Sequence, residues 1–194
     1  MNLRRDKFTR RKLLKAGLLG AATIIVPIGA GAAQWAVEPA KFILQPTANR
    51  ALSFYNVHTG ETLRIVYFEQ GEYVPGALLE VNYFFRDFRA NEIKSIDPRL
   101  LDLLHRINRA LDTSLPFNLI SGYRSPVTNA WLASQSEGVA RHSLHMDGMA
   151  SDINVQGRSL ALLQTVALAM RGGGVGYYPR SDFVHVDTGR VRRW

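Results

Sequence analysis

Two short segments of this sequence contain residue types that bind metal ions. Residues 143–152 include His145 and Asp152, and residues 182–189 include His185. Proteins bind zinc through imidazole nitrogen and carboxylate oxygen, and a catalytic zinc site uses three protein ligands with the fourth position left for water. His145, Asp152 and His185 would provide such a set, so the sequence predicts a Zn²⁺ cofactor.

The spacing within both segments suits two strands that each have one polar face. The apolar residues of Ala150–Val155 alternate with Asp152, and those of Phe183–Asp187 alternate with His185 and Asp187. Because successive side chains of a strand point to opposite faces, the apolar residues would face the core and the metal-binding types the other side. A single histidine in a strand is more often a structural residue, so the prediction depends on the three residues together.

The elements predicted around these segments mix short strands with helices. A β-hairpin is predicted because a loop containing a glycine separates two β-prone runs. Amphipathic spacing and proline-containing starts predict the helices. The hairpin strands are Ala51–Asn56 and Thr62–Tyr67, the helices are Pro98–Leu111, one that begins at Pro126, and Ser159–Met170, and the other strands are Phe117–Ile120, Ala150–Val155, Val175–Tyr178 and Phe183–Asp187. Strands and helices do not alternate regularly, which favours an α+β fold over a doubly wound one.

The first 33 residues have the anatomy of an export signal. They carry a net charge of +6 out of +8 for the whole chain, and an apolar stretch that ends in small residues follows the basic start. The pair Arg10-Arg11 resembles the twin-arginine export motif. We therefore predict a twin-arginine signal peptide at residues 1–33, the twin-arginine machinery as a partner and the periplasm as the destination. An uncleaved anchor is the alternative, but Pro27 and a length marginal for a bilayer of ~30 Å favour cleavage, with no stable membrane insertion afterwards.

The rest of the composition narrows the function further. Residues 34–49 contain two prolines and no clear period, which predicts a linker before a domain formed by residues 50–194. That domain has little net charge and no long basic run, so nucleic-acid binding is not expected. The chain has no cysteine, which excludes thiolate zinc sites and cysteine nucleophiles. A monomer is expected.

The metal-binding segments resemble those of a known family. The pattern S-x-H-x-x-G-x-A-x-D at residues 143–152, followed by His185, resembles the zinc signature of the M15 peptidases, which include D-alanyl-D-alanine carboxypeptidases and peptidoglycan endopeptidases. Residues 121–125 and 173–189 resemble the MepK/YcbK-type murein endopeptidases within that family. The resemblance implies a zinc peptidase domain over residues 50–194. It also implies a Hedgehog/D-Ala-D-Ala-peptidase-like α+β fold, with an antiparallel sheet flanked by helices and a zinc site.

The resemblance also suggests roles for residues beside the metal. An arginine in the segment that holds Arg124 serves the substrate side of the site in the family, so Arg124 is a candidate to stabilise an oxyanion or grip a substrate carboxylate. The family places an acidic residue three positions before the last zinc histidine, which here is Asp182, the favoured general base. Strand geometry instead favours Asp187, because it shares the face of His185; Asp187 is the reserve base or a partner that orients a ligand. Ser121, Tyr123 and Ser143 are the predicted substrate-binding residues.

The predicted function is an exported zinc metallopeptidase that hydrolyses peptide cross-links of peptidoglycan in cell wall remodelling. A D-alanyl-D-alanine-type carboxypeptidase is one alternative, and a non-catalytic wall-binding protein with structural zinc is another. The sequence lacks Ser-x-x-Lys, cysteine and His-Glu-x-x-His, so several other routes to amide hydrolysis are not open to it.

Overall fold

The computed structural model describes residues 49–135 and 139–194. The predicted signal peptide and all but the last residue of the predicted linker therefore lie outside the described residues. No helix within the described ranges is long and apolar enough to cross a membrane.

The described residues form eight strands and four α-helices, and a short 3-10 helix, Leu144–Asp147, precedes β5. The strands are β1 (Arg50–Asn56), β2 (Thr62–Glu69), β3 (Glu72–Tyr73), β4 (Phe117–Ser121), β5 (Ala150–Val155), β6 (Gly174–Tyr178), β7 (Phe183–Asp187) and β8 (Arg192–Arg193). The helices are α1 (Pro75–Phe84), α2 (Pro98–Ala110), α3 (Pro126–Gln135) and α4 (Leu160–Met170). Every strand and helix predicted from the sequence is confirmed, with bounds that differ by at most two residues.

All eight strands belong to one sheet in the order β3-β2-β1-β4-β5-β7-β6-β8. The expectation of an antiparallel sheet is wrong in two places, because β1 pairs with β4 and β6 pairs with β8 in parallel. Strands β2 and β3 and helices α1 and α2 lie between β1 and β4 in the chain. A connection of that length allows β4 to run parallel to β1. The fold is therefore mixed α and β, with an open sheet that is largely but not wholly antiparallel.

The core lies between the sheet and the helices. Helix α2 begins at the predicted Pro98, and Asp97 caps it, since the Asp97 carboxylate accepts a hydrogen bond from the Arg99 amide at 2.9 Å. Its apolar residues and those of α4 pack against alternate residues of the central strands. Ile153 and Val184 are completely buried in this core, so their neighbours Asp152 and His185 point away from it. The sheet thus holds the candidate ligands on the side opposite the core.

The sequence analysis does not predict the 3-10 helix Leu144–Asp147, helix α1 or strands β3 and β8. Helix α1 begins with Pro75-Gly76, which is more typical of a turn than of a helix interior. It is stabilised by tertiary contact, because Ala77, Val81 and Phe84 are buried. Strands β3 and β8 have two residues each, too few to show an alternating pattern.

Candidate metal centre and active-site cavity

Three elements bring His145, Asp152 and His185 together. His145 lies in the 3-10 helix, and Asp152 and His185 face each other as paired residues of β5 and β7. His145 Nε2 is 3.2 Å from Asp152 Oδ1 and 3.1 Å from His185 Nδ1, and His185 Nδ1 is 2.9 Å from Asp152 Oδ1. All three residues are buried. The residues predicted as ligands therefore form one compact cluster.

The 3-10 helix is positioned by its two ends. At its start the Ser143 hydroxyl accepts a hydrogen bond from the His145 amide at 3.4 Å. At its end Gly148 adopts φ 68°, and a Cβ there would collide with the backbone carbonyl of Ser95. Only glycine fits that conformation and that close approach, and the turn directs the chain from His145 into β5.

Hydrogen bonds fix which ring nitrogens face the centre of the cluster. His145 Nδ1 lies 2.7 Å from the Gly122 carbonyl oxygen, which can only accept, so Nδ1 carries the hydrogen. His185 Nε2 lies 3.1 Å from Asp187 Oδ2 and donates to it. The two remaining nitrogens and Asp152 Oδ1 then direct lone pairs at one point. Three acceptors this close repel one another unless a cation or a proton lies between them, so the donor set fits a metal ion such as Zn²⁺.

The ionisation of the cluster also suits a cation. Burial raises the pKa of Asp152, but the nearby His145 and His185 outweigh burial and hold that pKa well below its usual range. Burial lowers the pKa of His145. Burial acts in the same direction at His185, but hydrogen bonds to Asp152 and Asp187 raise its pKa to about 9. Asp152 is thus ionised and His145 neutral, and His185 would exchange its proton for a metal.

Asp187 is held behind His185 rather than in the open site. Its side chain is fully buried and accepts hydrogen bonds from His185 Nε2 at 3.1 Å and from Arg192 at 2.7 and 3.1 Å. The backbone amides of Gly174 and Gly189 donate to the same carboxylate. Burial raises the pKa of Asp187, but the hydrogen bonds from His185 and Arg192 outweigh it and hold the pKa well below its usual range. Every acceptor position of Asp187 is therefore engaged.

Replacing Arg192 by glutamine should weaken zinc binding without removing any ligand. The loss of two charge-assisted hydrogen bonds would free Asp187 to rotate, and His185 would lose its fixed orientation. We expect a drop in zinc affinity of about 10- to 100-fold, as for other groups that orient a metal ligand. Competition with a chelating dye measures this, and Arg193→Gln, at the exposed neighbouring position of β8, is the control. Equal affinity in the two variants would show that Arg192 does not support the site.

Arg124 and Ser121 lie beside the cluster. The Arg124 guanidinium is 3.5 Å from Asp152 Oδ2, 3.3 Å from the Ser121 hydroxyl and 3.2 Å from Asn129 Oδ1. Its Nε is buried with no hydrogen-bond partner among the described residues. Arg124 is therefore a nearly buried cation whose charge reaches the metal-binding atoms.

The cluster lies in the wall of an open cavity of about 670 Å³. Ser121, Arg124 and Ser143 line this cavity together with the three candidate metal ligands. Three predicted site residues do not line it, and one of them is Asp187, which is buried behind His185. Tyr123 lines a different, small cavity, and its hydroxyl lies 3.5 Å from Glu92.

Asp182 also lies outside the cavity, although its neighbours Ser181 and Phe183 line it. It has φ 54° in the turn before β7, and its carboxylate accepts a hydrogen bond from Asn154 Nδ2 at 3.0 Å. The turn thus directs Asp182 into a second cavity, which Asn118 and Asn154 also line.

Comparison with known proteins decides the family. The model of an M15 peptidase family, described as peptidoglycan L,D-endopeptidase MepK, matches residues 45–194. The chain belongs to this family. It is 46% identical over 191 residues to the peptidoglycan L,D-endopeptidase MepK of Escherichia coli K12. These 191 residues cover 97% of this chain and 100% of that protein. The corresponding protein of Shigella flexneri matches equally well.

A more distant relative supports the same family. A probable peptidoglycan L,D-endopeptidase MepK of Haemophilus influenzae is 40% identical over 146 residues, which is 75% of this chain and 78% of that protein. The resemblance drawn from the metal-binding segments is thereby confirmed. Membership of a peptidase family also identifies the cavity as the candidate active site.

Three residues at this site were not singled out by their sequence pattern. Gly122 supplies the carbonyl that orients His145. Arg192 holds Asp187, although in the sequence it appears only as part of a small basic cluster. Trp194 packs on the His185 ring with centroids 5.2 Å apart, and its indole N–H donates to the Tyr178 hydroxyl at 2.6 Å. Gly122 lies 23 residues from His145, and Arg192 and Trp194 reach Asp187 and His185 through the turn into β8, so the spacing of residue types did not indicate these roles.

Proposed function

We propose that this chain is a zinc-dependent peptidoglycan L,D-endopeptidase that acts in the periplasm during cell wall remodelling. The observation that carries the proposal is the convergence of three metal-type lone pairs, from His145, Asp152 and His185, in the wall of an open cavity. The family gives the substrate class, because its members are named for cleaving L,D bonds of peptidoglycan.

The shape of the site favours a catalytic zinc over a structural one. Structural zinc sites in proteins are usually closed by four protein ligands, whereas catalytic sites keep one position for water or substrate. The described residues offer a group of three ligands, and a cavity of about 670 Å³ lies against them. This arrangement supports an enzyme rather than a wall-binding protein with a structural metal.

Zinc bound there would polarise a substrate carbonyl and make its bound water acidic enough to act near neutral pH. The protein residues then have separate tasks. Arg124 would stabilise negative charge that develops on the carbonyl oxygen. The position of its guanidinium at the edge of the cluster and its burial support this role. Ser121 and Ser143 offer hydroxyl groups to the peptide backbone in the same cavity.

We propose Asp182 as the proton acceptor and Asp187 as the residue that orients His185. The carboxylate of Asp187 is saturated by Arg192, His185 and backbone amides, so it has no free lone pair for a water proton. Asp182 is exposed, and among the described residues its carboxylate accepts a hydrogen bond only from the neutral Asn154 side chain. Asp182 would have to turn from Asn154 towards the metal, and catalytic contacts that are long without substrate commonly tighten in the complex.

Digestion of purified sacculi tests the proposed function directly. Zinc-loaded protein should release fragments whose new ends, identified by mass spectrometry, map to an L,D bond within the cross-linked peptides. A carboxypeptidase would instead release single terminal residues and leave the cross-links intact. Protein treated with a chelator should release neither, and digestion that continues without metal would contradict zinc dependence.

Export by the twin-arginine route is a separate part of the proposal. Replacing Arg10-Arg11 by Lys-Lys should leave precursor in the cytoplasm, since the paired arginines are what that pathway reads. Cell fractionation and immunoblotting against the folded domain measure the distribution. Normal arrival of the Lys-Lys form in the periplasm would mean that another route exports the chain.

A further inference from the structure

The charged side chains that line the cavity beside the candidate metal cluster are mainly positive. Arg89, Arg124 and Arg192 line it, and Asp152 is the only carboxylate among its described lining residues. Arg124 lies against Asp152 and Arg192 is paired with Asp187. Two of the three arginines are thus engaged with carboxylates of the site, and a bound metal would add further positive charge.

Arg89 differs from the other two because no carboxylate among the described residues lies within 4 Å of its guanidinium. Burial lowers the pKa of Arg124, Asp152 opposes this, and Arg89 lowers the pKa further by repulsion. Arg89 is therefore close enough to the buried site to affect it electrostatically, while its own head group is exposed.

The turn that carries Arg89 is built around a buried carboxylate. Asp87 is 2% exposed, and its Oδ1 accepts hydrogen bonds from the Arg89 amide at 3.0 Å and the Ala90 amide at 3.3 Å. Its Oδ2 accepts from the Ser125 amide at 2.9 Å, next to Arg124. One buried side chain thus ties the Arg89 turn to the segment that holds Arg124, which fixes where the Arg89 backbone lies relative to the cavity.

Aromatic rings restrict the side chain of Arg89. Its guanidinium carbon lies 4.3 Å from the centre of the Phe88 ring and 5.9 Å from that of Trp131. Phe88 in turn stacks on His58 with centroids 4.7 Å apart. Stacking of this kind leaves the in-plane N–H donors of a guanidinium free for a ligand, and those donors match the two oxygens of a carboxylate.

We propose that Arg89 binds a carboxylate of the stem peptide at the rim of the active-site cavity and so selects for substrates with that carboxylate free. The proposal rests on the proposed peptidoglycan function. The recognised chemistry is a carboxylate attached to a peptide. A stacked arginine that pairs with no carboxylate of the described residues, in a cavity whose charged side chains are mainly positive, suits an anion better than a neutral amide.

Steady-state kinetics with two substrates tests this assignment. The substrates are cross-linked muropeptide dimers with free stem-peptide carboxylates and the same dimers with those carboxylates amidated. The zinc-loaded protein should have a lower KM for the free form. Arg89→Gln should raise KM for the free form by about 10-fold, the worth of a charge-assisted contact at a partly exposed position, with kcat little changed. Its KM for the amidated form should change by less than about twofold, and Arg89→Lys should restore part of the preference.

Two controls separate the possible failures. Arg64→Gln removes an exposed arginine from β2, outside the cavity, and should leave both KM values as they are. Zinc content and thermal stability of Arg89→Gln should match the unmodified protein. Equal KM increases for free and amidated dimers, or no increase for either, would overturn the role of Arg89. If the unmodified protein cleaves neither dimer, the proposed function fails instead.

Discussion

We expect each of the variants His145→Ala, Asp152→Ala and His185→Ala to lose most of its bound zinc and to cleave muropeptide dimers at least about 10³-fold more slowly. The expectation follows from the convergence of their lone pairs within about 3 Å of one another. Bound zinc would lower the pKa of the attacking water to about 7, and without the metal that pKa stays far above neutral, so little nucleophile exists at neutral pH. Elemental analysis of the purified proteins gives the zinc content, and dimer cleavage gives the activity.

A matched histidine tests whether the effect is specific. His142 lines the same cavity but is not part of the cluster, so His142→Ala should retain zinc. Circular dichroism must show that each ligand variant is folded, because removing one partner leaves other buried polar groups unpaired. Full zinc occupancy in all three ligand variants would mean that the metal binds elsewhere or that these residues have a structural task.

The second large effect concerns Asp182 and Asp187, the two carboxylates on either side of His185 in the sequence. Asp182→Asn should keep zinc in place and lower kcat by about 10²- to 10⁴-fold, the usual contribution of a positioned acid–base group. Asp187→Asn should act differently, because it removes the acceptor that orients His185 and breaks the ion pair with Arg192. We expect Asp187→Asn to weaken zinc binding by about 10- to 100-fold and to recover much of its activity when zinc is in excess.

Activity per bound zinc is the quantity that separates these two outcomes. It should fall in Asp182→Asn and stay near that of the unmodified protein in Asp187→Asn. The reverse order would make Asp187 the base and would mean that its hydrogen bonds rearrange in the complex. If Asp182→Asn has normal activity per bound zinc, Asp182 is not the proton acceptor, and its carboxylate stays bound to Asn154 during the reaction.

The sequence alone determined much of this protein because the decisive signals are local. Alternation of apolar and polar residues in Ala150–Val155 and Phe183–Asp187 predicts two strands that bury one face, and both strands have those bounds in the structure. The same alternation puts Asp152 and His185 on the uncovered side. The spacing of His145, Gly148 and Asp152 indicated a metal site, since ligand type and a glycine turn can be recognised within ten residues.

Sheet direction and the supporting residues required the tertiary structure. A short loop indicates the antiparallel pairing of a hairpin, but no local signal gives the direction of pairing between strands that are far apart in the chain or only two residues long. The parallel contacts of β1 with β4 and β6 with β8 were therefore not predicted. The family position suggested Asp182 as a catalytic residue, but only the turn at φ 54° shows that its carboxylate lies beside Asn154.

The partners of the ligands were decided in the same way. The Gly122 carbonyl orients His145 across 23 residues, and Asp187 meets Arg192 only because β8 returns to the edge of the sheet. Residue type and spacing determine which side chains can bind a metal. Long-range packing determines which nitrogen of His145 faces it, because the Gly122 carbonyl comes from another segment, whereas the partner of His185 is Asp187 on the same strand.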